Sequence, residues 1–319
     1  MTGAAPTVAA VLIGRNEGAR LVAALAAIPA GVDPVIYVDS GSTDSSIAAA
    51  EAAGARVVRL DLSRPFTAAR ARNEGFAALG PDLPAYVQFI DGDCALAPGW
   101  IATATAFLQA NPRAAVACGR RRERFPEASV WNRLCDAEWD TPVGQARACG
   151  GDALMRAAVF AQAGGFNPIL IAGEEPELCV RLRASGWQVW RLDAEMTLHD
   201  AAMHRFGQWW TRTRRGGHAF AEGAALHGTP PERHFVAETR RALLWGAALP
   251  LTALLGAAVT PWALVLLLAY PLQIIRLARR LGLTRATFLV LAKLPEALGV
   301  LEYHSRAVLR RPAGLIEYK

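Results

Sequence analysis

The chain has 319 residues, of which 53% are hydrophobic and 19% are charged, and its formal net charge is +6. This length allows one large or two modest domains, and the high apolar fraction excludes a disordered chain. The basic excess is concentrated in residues 239–319, where it flanks apolar sequence. An anionic membrane surface therefore suits this charge better than nucleic acid, and no nucleic-acid partner is expected.

Strands and helices alternate in the first ninety residues. Short apolar runs predict the strands, and segments that follow polar caps predict the helices. The predicted strands cover 8–13, 35–38, 56–60 and 86–90, and the predicted helices cover 17–27, 45–53 and 68–79. This alternation predicts an α/β fold with a parallel sheet, in which ligands bind beyond the carboxyl ends of the strands.

Polar clusters follow three of these predicted strands, at 14–17, 39–44 and 91–93. Each cluster also fits a plain turn or a helix cap. The third contains Asp91 and Asp93 on either side of a glycine, and hard oxygen ligands of this kind suit Mg²⁺ or Mn²⁺ carrying a diphosphate. No glycine-rich dinucleotide motif or P-loop follows the first strand, so the sequence does not support either of these nucleotide sites.

Two further charged segments allow two interpretations each. Arg120, Arg121, Arg122 and Arg124 could clamp a phosphate, but the sequence favours a solvated loop there. The run at 173–178 holds three acids at the start of a predicted helix, where negative charge is favourable. One of these carboxylates could instead act as a general base for a hydroxyl nucleophile.

The cysteine pattern indicates reduced thiols. The chain has five cysteines, an odd number, and no C-x-x-C spacing. Neither a disulfide framework nor a zinc site is indicated, so we expect buried thiols in a reducing, cytosolic environment.

The C-terminal part predicts a membrane region. Residues 242–275 contain no Asp, Glu, Lys, Arg or His. This stretch of 34 residues is longer than the roughly 20 residues that one membrane helix needs. Thr260-Pro261 favours a break near the middle, and arginines flank both ends, so we predict a helical hairpin whose two ends lie in the cytoplasm. A buried helical pair in a soluble core is the alternative. An interfacial helix is predicted over about 285–301.

The domain prediction follows from this division. Residues 1–238 form a cytosolic catalytic domain, and residues 239–319 form a membrane-associated helical region. The expected location is the cytoplasmic face of the inner (plasma) membrane, with membrane lipids as partners.

Six stretches, in this order, resemble an inverting family 2 glycosyltransferase with the GT-A type nucleotide-sugar fold. The resemblance covers about residues 8–221. The stretches are IGRNE, YVDSGSTDSS, FTAARARNEGF, FIDGDCALAPGWI, CGGDALMRAAVFAQAGGFN and GEEPELCVRLRASGWQVWRL. The resemblance implies a parallel or mixed sheet flanked by helices, with a metal-dependent transfer from a nucleotide-sugar that inverts the anomeric centre.

The resemblance also implies roles for individual residues. Glu175 aligns with the catalytic base of the family, where aspartate is commoner, so Glu174 remains the alternative. Asp93 would hold the metal, and His199 resembles a histidine that helps to bind metal or diphosphate in some relatives; a plain loop histidine is the alternative. The candidate nucleotide-sugar-binding residues are Asn16, Glu17, Asp39, Ser42, Arg70, Asn73, Asp91 and Gly151.

The resulting functional hypothesis is a metal-dependent transfer of one sugar, with UDP-sugar as the favoured donor. The acceptor is a hydroxyl, and the membrane hairpin suggests a lipid-linked one, for a glycolipid or cell-surface polysaccharide. Two alternatives stay open, namely an inactive membrane-anchored module that binds a nucleotide-sugar and a sugar nucleotidyltransferase. The intact Asp93 and Glu175 disfavour the first, and the lack of a basic glycine-rich loop disfavours the second.

Overall fold

The computed structural model describes residues 6–309, and its core is one mixed sheet. The strands are β1 Val8–Gly14, β2 Val32–Asp39, β3 Arg56–Arg59, β4 Tyr86–Asp91, β5 Cys94–Leu96, β6 Ala114–Glu123, β7 Gly144–Ala146, β8 Ala153–Arg156 and β9 Gln188–His199. They are ordered β3-β2-β1-β4-β8-β6-β9-β5, and β7 pairs with β9. The predicted α/β class with a parallel or mixed sheet is confirmed.

The helices flank this sheet and then form the C-terminal part of the chain. Those of the first part are α1 Ala19–Ala26, α2 Ser46–Ala52, α3 Ala68–Ala77, α4 Trp100–Ala110, α5 Val130–Trp139, α6 Ala157–Gln162 and α7 Glu174–Ala184. Those of the second part are α8 Phe206–His227, α9 Val236–Leu243, α10 Leu249–Ala257, α11 Ala269–Leu281, α12 Leu283–Leu291 and α13 Lys293–Val308.

The parallel strands bring the predicted polar clusters to one edge of the sheet. β1 lies between β2 and β4 and is parallel to both, and its strand residues are almost all buried. Gly14 pairs with Asp39, and Ile13 pairs with Asp91. Because parallel strands end at the same edge, the three clusters lie side by side there.

The arginine-rich segment differs from the prediction of a solvated loop. Arg120, Arg121 and Arg122 belong to β6, which runs parallel to β9. Arg120 is buried and pairs with Asp136 at 2.9 Å, whereas Arg122 is exposed and pairs with Glu195 at 2.6 Å. The prediction was wrong because these charges are neutralised by acids from distant segments, which local sequence does not reveal.

The chain divides into two compact units. Unit 1 contains the sheet and consists of the chain up to Leu170 together with Glu174–His204; unit 2 consists of Ile171–Gly173 and the chain from Arg205 onward. All five cysteines lie in unit 1 and are free and buried. The predicted domain boundary at 238/239 falls inside unit 2, because α8 packs along α13 in that unit.

Unit 2 is a set of packed helices. α8 and α13 approach so closely that a side chain at Gly217 or Gly299 would overlap the backbone of the other helix. The segment predicted as an interfacial helix at about 285–301 covers most of α12 and the first half of α13, and Ala297 and Val300 of α13 are buried.

The helical break predicted at Thr260-Pro261 is present. Thr260 is extended, and a 3₁₀ segment over Pro261–Leu268 packs against α10 before it continues into α11. Within the described residues, Pro261–Leu281 is the one helix that is long and apolar enough to cross a membrane, and no residue of its most apolar stretch is buried. Length and composition alone do not establish a span, so the membrane hairpin stays a prediction.

Candidate active site

The first two polar loops are joined by Asn16, which sits in a left-handed backbone conformation. Its backbone N–H donates to Ser42 Oγ at 2.9 Å, and its side-chain oxygen accepts from the Thr43 N–H at 2.7 Å. Glu17 pairs with Arg20 at 2.9 Å, and its Cγ would contact a side chain at Gly14 or Gly92. Asn16, Glu17 and Ser42 therefore lie together at the sheet edge, as predicted candidates for a nucleotide site.

Asp39 is buried below this loop and organises it. One carboxylate oxygen accepts the N–H groups of Gly41 and Ser42 at 2.9 and 3.0 Å, and the other accepts from the Tyr37 hydroxyl at 3.3 Å. Burial is the main cause that raises the pKa of Tyr37, so the phenol remains a donor. The structure thus gives Asp39 a loop-shaping role, and its predicted contact with a base or ribose stays a prediction.

Helix α3 carries Arg70 and Asn73, the two predicted binding residues, which contact neighbouring loops. Arg72 of the same helix contacts the carboxylates instead. The Arg70 guanidinium donates to the carbonyl groups of Arg64 and Pro65 at 2.8 Å and pairs with Glu74. Asn73 is hydrogen-bonded in both directions to the backbone of Phe166. Both side chains therefore fasten neighbouring loops in this structure.

Arg72, which the sequence analysis missed, is the centre of the acidic cluster. Its buried guanidinium contacts Asp91 Oδ1 and Glu174 Oε1 at 2.7 Å and Glu175 Oε1 at 3.2 Å. The only sequence signal was a second arginine in the ARARN segment, placed on a different face of α3 from Arg70.

The environment of Glu175 differs from that of Glu174. Glu174 is almost fully buried and makes the shorter contact with Arg72, whereas the Glu175 side chain keeps 15% of its surface exposed. Burial, followed by the neighbouring Glu174 charge, raises the pKa of Glu175 to about 7 although Arg72 opposes this. A partly accessible carboxylate with a pKa near neutrality is suited to accept a proton.

A second ion-pair network, also missed, holds Asp91 from the other side. Arg121 lies over the Trp139 ring and contacts Asp91 at 3.2 Å and Asp152 at 3.5 Å. Asp152 is fully buried, and it accepts from the Asp91 N–H and the Thr197 hydroxyl. Burial raises the pKa of Asp91, but the charges of Arg72 and Arg121 outweigh this and lower it, so Asp91 stays ionised.

Gly151 lies beside both ion-pair networks. Because it has no side chain, Arg72, Asp91 and Glu175 can come close to its backbone. A Cβ there would collide with the Arg72 guanidinium and lie 3.1 Å from both Asp91 Oδ2 and Glu175 Oε1. Arg72 cannot move aside without breaking its ion pairs.

We expect Gly151→Ala to lower the free energy of unfolding by about 1–3 kcal/mol, the usual cost of overpacking. Gly150→Ala is the matched control, since a Cβ at this exposed neighbour meets nothing within 4 Å. Urea denaturation of the two purified variants measures the difference. Equal stability of both variants would contradict the close packing at Gly151.

Asp93 and His199 form a pair of possible metal ligands. Both are buried, and His199 Nε2 lies 3.4 Å from Asp93 Oδ2. Together with the Cys94 sulfur, their ligand atoms lie within 4.8 Å of one another. Burial raises the pKa of Cys94 well above its usual value, so the sulfur stays a neutral thiol and a poor ligand for a hard ion. Asp93 and His199 fit a divalent cation that keeps water or diphosphate oxygens in its other positions.

Comparison of the sequence with known families gives a match over residues 13–156 to the family described as Glycosyl transferase family 2. This part of the chain is a family 2 glycosyltransferase domain, and the resemblance predicted from the six stretches is confirmed. The prediction of glycosyltransferase activity is confirmed for this domain. No curated protein matches the sequence.

Two of the solved structures that match this fold are glycosyltransferases. The mannosyltransferase PcManGT from Pyrobaculum calidifontis, in complex with GDP-Man and Mn²⁺, is 20% identical, with a TM-score of 0.67 over 94% of this chain and 88% of that one. Glucosyl-3-phosphoglycerate synthase from Mycobacterium tuberculosis, in complex with Mn²⁺, UDP and phosphoglyceric acid, is also 20% identical, with a TM-score of 0.51 over 70% and 80%. At this identity the likeness shows the GT-A fold.

Proposed function

We propose that this chain, with its family 2 domain at residues 13–156, transfers one sugar with inversion from a nucleotide-sugar to a hydroxyl acceptor in a metal-dependent reaction. The observation that carries the proposal is the placement of Asp91 and Asp93 at the end of a parallel strand. Arg72 joins Asp91 to Glu175, and His199 lies beside Asp93. The related structures that hold GDP-Man or UDP together with Mn²⁺ have the same fold.

The proposed roles follow from the contacts. Asp93 and His199 would hold a divalent cation, and the histidine nitrogen would favour Mn²⁺ over Mg²⁺, which prefers oxygen ligands. When bound, this cation neutralises the charge that develops on the diphosphate leaving group. Glu175 accepts the proton of the attacking hydroxyl, and Arg72 holds the carboxylate in place. Glu174, nearer to Arg72 and more buried, is a structural partner of that arginine.

The first test is calorimetric titration of the purified chain with UDP and with GDP, each with and without Mn²⁺. We expect micromolar binding of one nucleotide that requires Mn²⁺ and is weakened at least 100-fold in Asp93→Ala. Asp193→Ala, a change at a carboxylate on the exposed side of β9, is the control and should bind like the native chain. Binding that ignores both the metal and Asp93 would overturn the metal-site assignment and favour an inactive binding module.

We further propose that unit 2 attaches the enzyme to the cytoplasmic face of the inner membrane. Leu255, Val259, Trp262 and Leu272 are 65–90% exposed, which is unusual for apolar side chains so close together in sequence. Arginines flank this segment at 240 and 241 and again at 276, 279 and 280, as expected for a region beside an anionic leaflet.

The location and the acceptor can be tested together. The full chain should float with vesicles that contain anionic lipid, and Trp262→Asp should weaken this flotation.

A labelled sugar from the donor identified above should appear in a lipid extract of native membranes, if the acceptor is lipid-linked. Label that appears in water-soluble material alone would contradict the lipid-linked acceptor and leave the transferase activity intact.

A further inference from the structure

The carboxylate of Glu123 lies behind His199, in a position that the sequence analysis did not identify. Glu123 ends β6 and pairs with His199, the last residue of β9, in parallel register. Its side chain is fully buried, and its Oε2 atom lies 3.2 Å from His199 Nδ1. The same oxygen accepts the N–H of Ala201 at 3.1 Å.

The second oxygen of Glu123 is also held by donors. Its Oε1 atom accepts the N–H of Phe125 at 3.1 Å and the side-chain amide of Asn132 at 3.4 Å. Two backbone N–H groups and one amide therefore bind this carboxylate besides the histidine. Such donors fix both carboxylate oxygens in place.

This fixed acceptor determines how His199 presents its other nitrogen. In the tautomer that donates its Nδ1–H to Glu123, the neutral imidazole carries its lone pair on Nε2. Nε2 faces Asp93 Oδ2 at 3.4 Å, and the edge-on Trp139 ring, with centroids 4.6 Å apart, restricts rotation of the imidazole. Two electron-pair donors thus face each other, an arrangement that a cation stabilises.

We propose that Glu123 is a positioning residue, which fixes the tautomer and the orientation of His199 for binding of the divalent cation. The inference rests on the proposed function, since it assigns a role at the same metal site. Carboxylates that accept the second N–H of a metal-binding histidine raise the basicity of the ligand, and their loss typically costs 10–100-fold in metal affinity.

The test measures Mn²⁺ binding rather than turnover. The full chain is titrated with Mn²⁺ in the presence of UDP or GDP, and free Mn²⁺ is followed by electron paramagnetic resonance. We expect Glu123→Gln to weaken Mn²⁺ about 10-fold and Glu123→Ala by up to about 100-fold. Glu195→Gln is the control, because this exposed carboxylate lies four residues before His199 on β9 and pairs with Arg122. This variant should leave the affinity unchanged.

A double variant separates positioning from a general structural role. If Glu123 acts through His199, Glu123→Gln should have no further effect on Mn²⁺ affinity in a His199→Ala background. Thermal unfolding of each variant reports stability separately, because Glu123 also binds Phe125 and Ala201. A lower melting temperature with unchanged Mn²⁺ affinity, or an additive double variant, would overturn the inference.

The same titration distinguishes this inference from the proposed function. If His199→Ala weakens Mn²⁺ and the Glu123 variants do not, the positioning role fails and the metal site stands. If neither Asp93→Ala nor His199→Ala changes Mn²⁺ affinity, the metal site itself fails, and the inference fails with it.

Discussion

Glu175→Gln is expected to lower the rate of sugar transfer about 10²–10⁴-fold, the range that a general base contributes, while the affinity for the nucleotide-sugar stays nearly unchanged. Glutamine keeps the shape of the side chain but cannot accept the proton. The rates are measured with the donor that binding identifies, under single-turnover conditions so that product release does not mask the chemical step.

The matched control is Glu174→Gln, one residue earlier on the same helix. Since Glu174 is nearly buried and makes the shorter contact with Arg72, we expect its loss to reduce stability more than the chemical rate. A larger rate loss in Glu174→Gln than in Glu175→Gln would exchange the roles of the two carboxylates.

The pH dependence of the transfer rate tests independently whether Glu175 is the base. The pKa of Glu175 is raised to about 7, so the carboxyl is largely protonated and inactive as a base below this value. The transfer rate should therefore rise with pH between about 6 and 8 and level off above. A flat profile over this range in the native chain would argue that Glu175 does not accept the proton.

Arg72→Met is expected to lower the free energy of unfolding by about 3–5 kcal/mol at neutral pH, the cost of removing one partner from a buried ion pair. The substitution leaves Glu174 and Glu175 close together without their cation, and Asp91 keeps only Arg121. Chemical denaturation of the purified variant measures this change.

The loss of unfolding free energy in Arg72→Met should be smaller at acidic pH. Arg72 opposes the raised pKa of Glu175, so without the arginine this carboxyl binds a proton more readily in the folded state. The variant therefore loses less stability at about pH 5 than at about pH 8. Arg122→Met is the matched control, because its exposed pair with Glu195 should contribute less than about 1 kcal/mol. A loss at Arg72 as small as that at Arg122 would contradict the central place of Arg72 in the cluster.

Local sequence predicted the strands whose carboxyl ends form the candidate nucleotide site. Buried apolar runs predicted β1, β2 and β4, and the polar residues directly after them predicted where a ligand binds. Parallel pairing then brought Gly14, Asp39 and Asp91 to neighbouring positions, as the strand-end argument required. The strand predictions are confirmed because they depend on residues close together in the chain, and the position of the ligand stays a prediction.

The sequence by itself thus determined the α/β class and the match of residues 13–156 to family 2 glycosyltransferases, and it identified Asp91, Asp93 and Glu175 as candidate site residues. Only the tertiary structure decided which cations and carboxylates support them. Arg72, Arg121 and Glu123 come from a helix and from a strand that the sequence analysis had interpreted as a solvated loop, and each contacts its partner across 19 to 102 residues of chain. Ion pairs over such separations depend on how the strands are ordered in the sheet, and neither periodicity nor local composition encodes that order.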